Sequence, residues 1–139
     1  MIFLKHDDFS VTIDDNLLNQ IIKNQPALLD SIELMAIAEM QSYIASRFDV
    51  ANIFSKQGNQ RNQLIVLYLI DMILYHLHAR VSPRNISQLR VDRYNQAIEW
   101  LKMASTGIIQ PDLPLKADTQ GNADDRLKWG SNTKLNQRY

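Results

Sequence analysis

The chain has 139 residues and a mass of 16.1 kDa, the size of one ordinary domain. Apolar residues make up 45% and charged residues 22%, which supports a globular core and argues against disorder of the whole chain. Fifteen basic residues balance fifteen acidic ones, whereas nucleic-acid-binding domains usually carry a basic excess. Because the chain has no cysteine, disulfides, thiolate zinc sites and cysteine nucleophiles are excluded.

An extended lead-in is predicted over residues 1–13. The apolar run in this segment is too short for a signal peptide. The first helix is predicted over residues 14–23, where Thr12 or Asp14 can accept hydrogen bonds from its first N–H groups. This helix ends before Pro26, because the residue that precedes a proline is forced out of helical geometry.

The second helix, predicted over residues 26–47, is amphipathic, with Glu33 and Glu39 on its polar flanks. A loop is predicted over residues 49–60. The third helix, predicted over residues 60–81, is apolar nearly all round, which is typical of a central helix that its neighbours cover. Its apolar run is about 14 residues long and a spanning helix needs roughly 20, so we expect a core helix and no membrane partner.

Ser82 and Pro83 end the third helix and can begin a new turn. The fourth helix is predicted over residues 89–105 and stops at Gly107. The pattern as a whole predicts an all-α fold, a small bundle of about four helices. The residues expected to be almost fully buried are Leu67, Leu74, Ile98 and Leu101.

Prolines and polar residues dominate the end of the chain. The sequence therefore predicts a helical domain over residues 1–110 and an extended or disordered C-terminal tail over residues 111–139. Trp129 and Tyr139 are the large aromatic residues of this tail, and Trp129 is expected to anchor it on another molecule.

Few residues are available for metal binding or acid–base chemistry. His76 and His78 are two positions apart and point about 200° from each other on a helix, so one metal ion does not bind both. No catalytic residue, metal ligand or cofactor is predicted, and an enzyme is not expected.

Asp71 lies inside the most apolar helix, where a carboxylate needs a charged partner. Arg47, Arg90 and Arg93 are the candidates. Arg93 is expected to pair with Asp71 or Glu39, and Tyr94 is expected to bury its ring.

A local basic cluster surrounds the turn between the third and fourth helices. DNA phosphates could bind such residues in a helix–turn–helix protein. Pairing with carboxylates of a neighbouring helix or subunit is the preferred interpretation, because the chain as a whole is neutral. The cluster consists of Arg80, Arg84, Arg90 and Arg93.

Three stretches carry a further signal through their order and spacing. Residues 38–49 read AEMQSYIASRFD, residues 90–101 read RVDRYNQAIEWL, and the apolar residues 67–80 lie between them. Together they resemble the E-x-x-S-Y-L-x-x-R-Y-D helix end, the R-x-x-R-Y-x-x-A-I-x-W-L signature and the central helix of the Mu-like head–tail connector (adaptor) proteins of phages and prophages. Residues 129–139 resemble the family's G-S-N-x-K closing tail more loosely. The loop near residues 52–60 departs from the family because it lacks prolines.

The resemblance implies a non-enzymatic virion structural protein. Its subunits would form a homo-oligomeric ring of roughly a dozen copies, with head-to-tail interfaces, between the portal and the tail. The implied partners are the phage portal and tail-completion proteins, with DNA passing through the channel and bound non-specifically at most. A monomer in isolation is the alternative. The implied location is the bacterial cytoplasm during assembly and then the virion.

Two groups of residues follow from these arguments. Structural roles are predicted for Asp71, Arg93, Tyr94 and Trp100. Interface roles are predicted for Arg80, Arg84, Arg90, Trp129 and Tyr139. Two other functions stay open: a helical DNA-binding regulator that uses residues 80–93, and a small helical enzyme or ligand-binding module with a pocket around Asp71, His76 and Tyr94.

Deletion of residues 116–139 is expected to leave the monomer folded, because few large apolar groups lie in that segment. Circular dichroism per helical residue should stay nearly unchanged, while sedimentation should show weaker self-association or weaker docking on the portal. Unfolding of the truncated chain would mean that the segment belongs to the core.

Overall fold

The structure is a computed structural model that describes residues 1–117. Within these residues the fold is helical, without β-strands, so the predicted all-α bundle is confirmed. The elements in chain order are a 3-10 helix His6–Val11, α1 Asp15–Ile22, α2 Pro26–Ile44, α3 Val50–Ser55, a 3-10 turn Gly58–Gln60, α4 Gln63–Val81 and α5 Gln88–Thr106. The long helices α2, α4 and α5 pack against one another and form the centre.

Local capping chemistry explains where the long helices begin and end. The Asn62 side chain accepts hydrogen bonds from two N–H groups of the first turn of α4, and Ser87 does the same for one N–H group of α5. Gly107 ends α5 in the left-handed conformation at φ 82°. Ser82 terminates α4 and begins a turn with Pro83, in which the Asn85 N–H group donates to the Ser82 carbonyl at 3.0 Å. Helix α5 starts after its own cap at Ser87.

Two segments differ from their predicted conformation. Residues 6–11 form a 3-10 helix instead of an extended lead-in, because Asp8 folds back to accept a hydrogen bond from the Lys5 N–H group at 2.7 Å. The predicted loop 49–60 contains α3, whose first turn is capped by the Asp49 carboxylate.

The central helix is α4, which buries ten of its residues. Within residues 1–117 it is also the one helix that is long and apolar enough to cross a membrane, but half of it is buried inside the bundle. Leu74 and Leu101 are fully buried as expected. Leu67 and Ile98 are only partly buried, so that expectation is wrong for these two. Leu67 lies in a groove beside the N-terminal 3-10 helix.

The beginning of the predicted tail lies against the bundle. Leu113 is buried, and Phe48 forms an isolated antiparallel bridge with Leu115. Backbone hydrogen bonds of 2.9 Å join Asp49 to Pro114 and Lys116 to Arg47. The division between residues 1–110 and 111–139 stays a prediction, and residues 118–139 lie outside the described part of the chain.

A buried carboxylate holds the N-terminal segment. Glu33, predicted on a polar flank of its helix, is fully buried, and its oxygens accept hydrogen bonds from the backbone N–H groups of Ile2, Phe3 and Leu4 at 2.7, 3.1 and 2.7 Å. The prediction fails because the partners of Glu33 come from a distant part of the chain. A buried carboxylate needs such donors to replace its lost water.

A buried cation, Arg61, also holds the N-terminal segment. Its guanidinium donates to the Phe3 carbonyl at 3.0 Å and to both oxygens of Asp8 at 2.7 and 3.0 Å. A two-point contact of this kind fixes direction as well as distance. Phe3, Leu4 and Phe9 are thereby fixed in the core.

Glu33→Gln is expected to lower the free energy of unfolding by about 1.5–3 kcal/mol, because one acceptor oxygen becomes an NH2 group that faces backbone donors. Urea unfolding of the purified chain measures the loss. Glu99→Gln, at an exposed position of α5, is the matched control and should stay within about 0.5 kcal/mol of the parent. Equal stability of the two variants would contradict the role of Glu33.

Candidate functional site

A polar cluster lies where α2, α4 and α5 meet, and we call its residues Glu39, Tyr75, His76 and Tyr94 the Glu39 cluster. One oxygen of Glu39 accepts a hydrogen bond from the Tyr94 hydroxyl, and the other lies 2.7 Å from His76 Nε2. The Tyr75 ring stacks on Tyr94 with 4.1 Å between centroids and 18° between planes. A single carboxylate therefore joins one residue from each of the other two helices.

The contacts of Glu39 set the protonation of the Tyr94 hydroxyl and the orientation of the His76 ring. Burial, together with the hydrogen bond to Glu39, raises the pKa of the Tyr94 hydroxyl far above its usual value of 10, so Tyr94 stays a neutral donor. The carboxylate orients the His76 ring as in a catalytic dyad, but in residues 1–117 no serine or threonine hydroxyl hydrogen-bonds to that ring.

The two histidines on α4 have separate partners. His78 Nδ1 contacts the Leu74 carbonyl of its own helix at 2.7 Å, while His76 contacts Glu39. Across the described residues no three His, Asp or Glu side chains come close enough together to hold a metal ion.

A second charged group surrounds Asp71, which is buried in the middle of α4. Arg93 Nη1 lies 3.7 Å from Asp71 Oδ1, too long for a hydrogen bond, and this oxygen has no hydrogen-bond partner among residues 1–117. Burial raises the pKa of the Asp71 carboxyl, and the charges of Arg93 and Arg90 oppose that rise. The two arginine charges thus offset only part of the free energy that burial of the Asp71 carboxylate costs.

Of the remaining candidates for the Asp71 partner, Arg47 lies elsewhere, whereas Arg90 is close enough for its charge to act on Asp71. Arg47 donates to the Ala104 and Ile109 carbonyls at 2.7 and 3.3 Å. Its positive charge there interacts favourably with the negative, C-terminal end of α5. Arg90 is half-buried, its Nη2 is 3.5 Å from the Thr12 carbonyl, and burial lowers its pKa. The structural candidate Trp100 is buried and packs on Tyr68 with ring centroids 5.0 Å apart.

The predicted interface residues divide into three groups. Arg80 and Arg84 are exposed, at the end of α4 and in the turn that follows it. Arg90 is turned towards Thr12 and Asp71. Trp129 and Tyr139 lie outside the described residues. The basic cluster therefore presents two exposed arginines, Arg80 and Arg84, and the 41% exposed side chain of Arg93, which is a small footprint for DNA phosphates.

The chain matches no protein-family model, no curated protein and no solved structure. The likeness to head–tail connectors consequently rests on the sequence alone, chiefly on the motifs of residues 38–49 and 90–101, with residues 67–80 between them and residues 129–139 more loosely similar. In the structure these motifs lie together, because Glu39 of the first accepts a hydrogen bond from Tyr94 of the second.

The stability of the parent chain is expected to fall as pH rises through the pKa of Asp71, and Asp71→Asn is expected to remove this fall. Burial raises the pKa of Asp71 in the folded state above the ordinary value of 3.8 that it has in the unfolded state. Between these two pKa values the folded chain holds a proton on Asp71 that the unfolded chain has lost. The free energy of unfolding therefore decreases as pH rises through this range. Urea unfolding at a series of pH values from about 3 to 7 measures this slope.

Asp8→Asn is the matched control with the opposite sign. The hydrogen bond from Arg61 lowers the pKa of the Asp8 carboxyl, so its contribution is present above 3.8 and is lost as pH falls through the folded-state pKa. This variant should lose stability at neutral pH and lose less on acidification. An Asp71→Asn profile parallel to that of the parent would show that Asp71 does not titrate with folding.

Proposed function

We propose that this protein is a non-enzymatic structural protein of a tailed phage or prophage, a head–tail connector subunit of a ring between portal and tail through which DNA passes. The observation that carries the proposal is the meeting of the two motifs at the Glu39 cluster. Glu39 of the first motif contacts Tyr94 of the second motif and His76 of the helix between them. The order and spacing of the motifs therefore correspond to contacts that join α2, α4 and α5.

The chemistry of the surface supports a subunit that packs against copies of itself. Arg80 and Arg84 are exposed and available for carboxylates of a neighbour. Leu34 and Met35 of α2 are 54% and 61% exposed, and Leu89 at the start of α5 is 60% exposed. Large apolar groups of this kind gain free energy when a neighbouring subunit covers them.

The charge balance fits a channel through which DNA slides. Each phosphate that a protein neutralises adds salt-dependent affinity, so a strongly basic lining would hold the DNA in place. Fifteen acidic residues balance the fifteen basic ones in this chain, and Arg93 and Arg90 act on Asp71. That balance is consistent with weak contact between the subunit and DNA.

The test is assembly of the purified chain, alone and with the portal protein of the same genome. Negative-stain microscopy and native mass spectrometry should show closed rings of roughly a dozen subunits. Arg80→Glu combined with Arg84→Glu should reduce assembly without loss of helicity, while Lys102→Glu, an exposed position of α5, should not.

A different result would favour the DNA-binding regulator. That function requires tight binding to duplex DNA at about 0.15 M salt, a steep salt dependence, and loss of binding in the Arg80 and Arg84 double variant. A chain that stays monomeric with the portal protein and binds DNA in this way would overturn the proposed function.

A further inference from the structure

A groove runs between the N-terminal 3-10 helix and the first half of α4. Its volume is about 280 Å³, and apolar side chains form most of its floor. The residues that line it include Asp7, Asp8, Val11, Thr12, Leu67 and Ile70. Leu67 is only partly buried and Val11 is 88% exposed, so this apolar surface is open to an occupant.

The rim of the groove is acidic. Residues 6–22 contain four aspartates and no lysine or arginine. Of the two that line the groove, Asp8 is neutralised by Arg61 and Asp7 is exposed. Asp14 and Asp15 are exposed a few residues further along the chain, and Arg90 Nη2 lies 3.5 Å from the Thr12 carbonyl. An occupant should therefore combine large apolar side chains with positive charge.

The end of the same chain has this composition. Residues 126–139 read RLKWGSNTKLNQRY and contain four basic residues and no acidic one. Leu127 and Trp129 are two positions apart, with Lys128 between them. In an extended segment these two side chains share one face, which matches an apolar floor.

The segment is long enough to reach such a groove, and the proposed ring assigns it the groove of a neighbour. The backbone passes Asn62 at Asp112 and reaches Arg47 at Lys116, at the ends of α2 and α5. The groove lies on a different face of α4 from the one that packs on α5 through Tyr68. A fully extended chain from Ala117 to Trp129 spans about 40 Å, longer than the roughly 28 Å of α4.

We propose that residues 126–139 of one subunit bind in the groove between the 3-10 helix and α4 of the next subunit, with Trp129 on the apolar floor. The donor surface and the acceptor surface are then different parts of the molecule. Such head-to-tail contacts close into rings, so this assignment rests on the proposed ring and identifies one of its interfaces.

The absence of native cysteines permits a direct test by cross-linking of the full chain. One preparation carries Thr12→Cys in the groove, a second carries Gly130→Cys beside Trp129, and the two are mixed and mildly oxidised. A covalent heterodimer should form. Gln96→Cys, exposed on α5, replaces the groove cysteine in the control and should give little cross-linking.

Asp7→Lys, added to the Thr12→Cys chain, reverses one rim charge and should reduce the heterodimer yield several-fold. Glu99→Lys, an exposed charge reversal on α5, should leave the yield unchanged. Circular dichroism checks that both variants are folded. A yield insensitive to Asp7→Lys would overturn the electrostatic part of the assignment.

Two other outcomes would overturn the docking assignment itself. Equal cross-linking of the groove and control cysteines would show that the segment does not select the groove. A chain with both Thr12→Cys and Gly130→Cys that links only within itself, while the mixed chains do not link, would place the segment in its own subunit. If rings form but the groove cysteine does not cross-link, the interface assigned here is refuted and the proposed ring is not. If the groove cysteine cross-links but the chain does not associate with the portal protein, the connector function is refuted and the interface is not.

Discussion

The apolar circumference of α4 is the constraint on which the rest of the structure depends. A helix that is apolar on nearly all sides has to be covered on nearly all sides, because the exposed surface would cost about 25 cal/mol per Å². α2 and α5 cover two of its faces, α1 and the N-terminal 3-10 helix cover others, and Asp71 is the single charge within its buried set. The positions of the other elements follow from this requirement.

Much of the fold was predictable because the signals are local. Helical periodicity identified the four longer helices, and Asp14 and Gly107 marked helix ends through chemistry contained within a few residues. The partners of Glu33 and Arg61 were not predictable in this way. Phe3 lies 58 positions from Arg61, and no pattern in one sequence links two such residues. The short helix α3 was missed because six residues are too few to show a period.

The candidate site shows the same division between local and distant information. The need for an arginine beside Asp71 was foreseeable from charge burial, and Arg93 is the arginine that approaches it. The contact of Glu39 with both His76 and Tyr94 was not foreseeable, because it depends on how three helices cross. Polar contacts in such a position favour one arrangement of the helices over others that would bury similar apolar area. A subunit with a defined shape suits the connector function that we propose.

The attachment of both ends of the described chain has a kinetic consequence. The central contacts of α4 with α5 join helices that are neighbours in sequence, whereas Arg61 reaches back to Phe3 and Arg47 reaches forward to Lys116. Contacts between distant residues require closure of long loops, so they form late in folding. We expect the native state to open first at these two attachments, so that their amide hydrogens exchange with solvent before those of α4. Ribosomal synthesis completes the second attachment only after all the helices of residues 1–117 have been made.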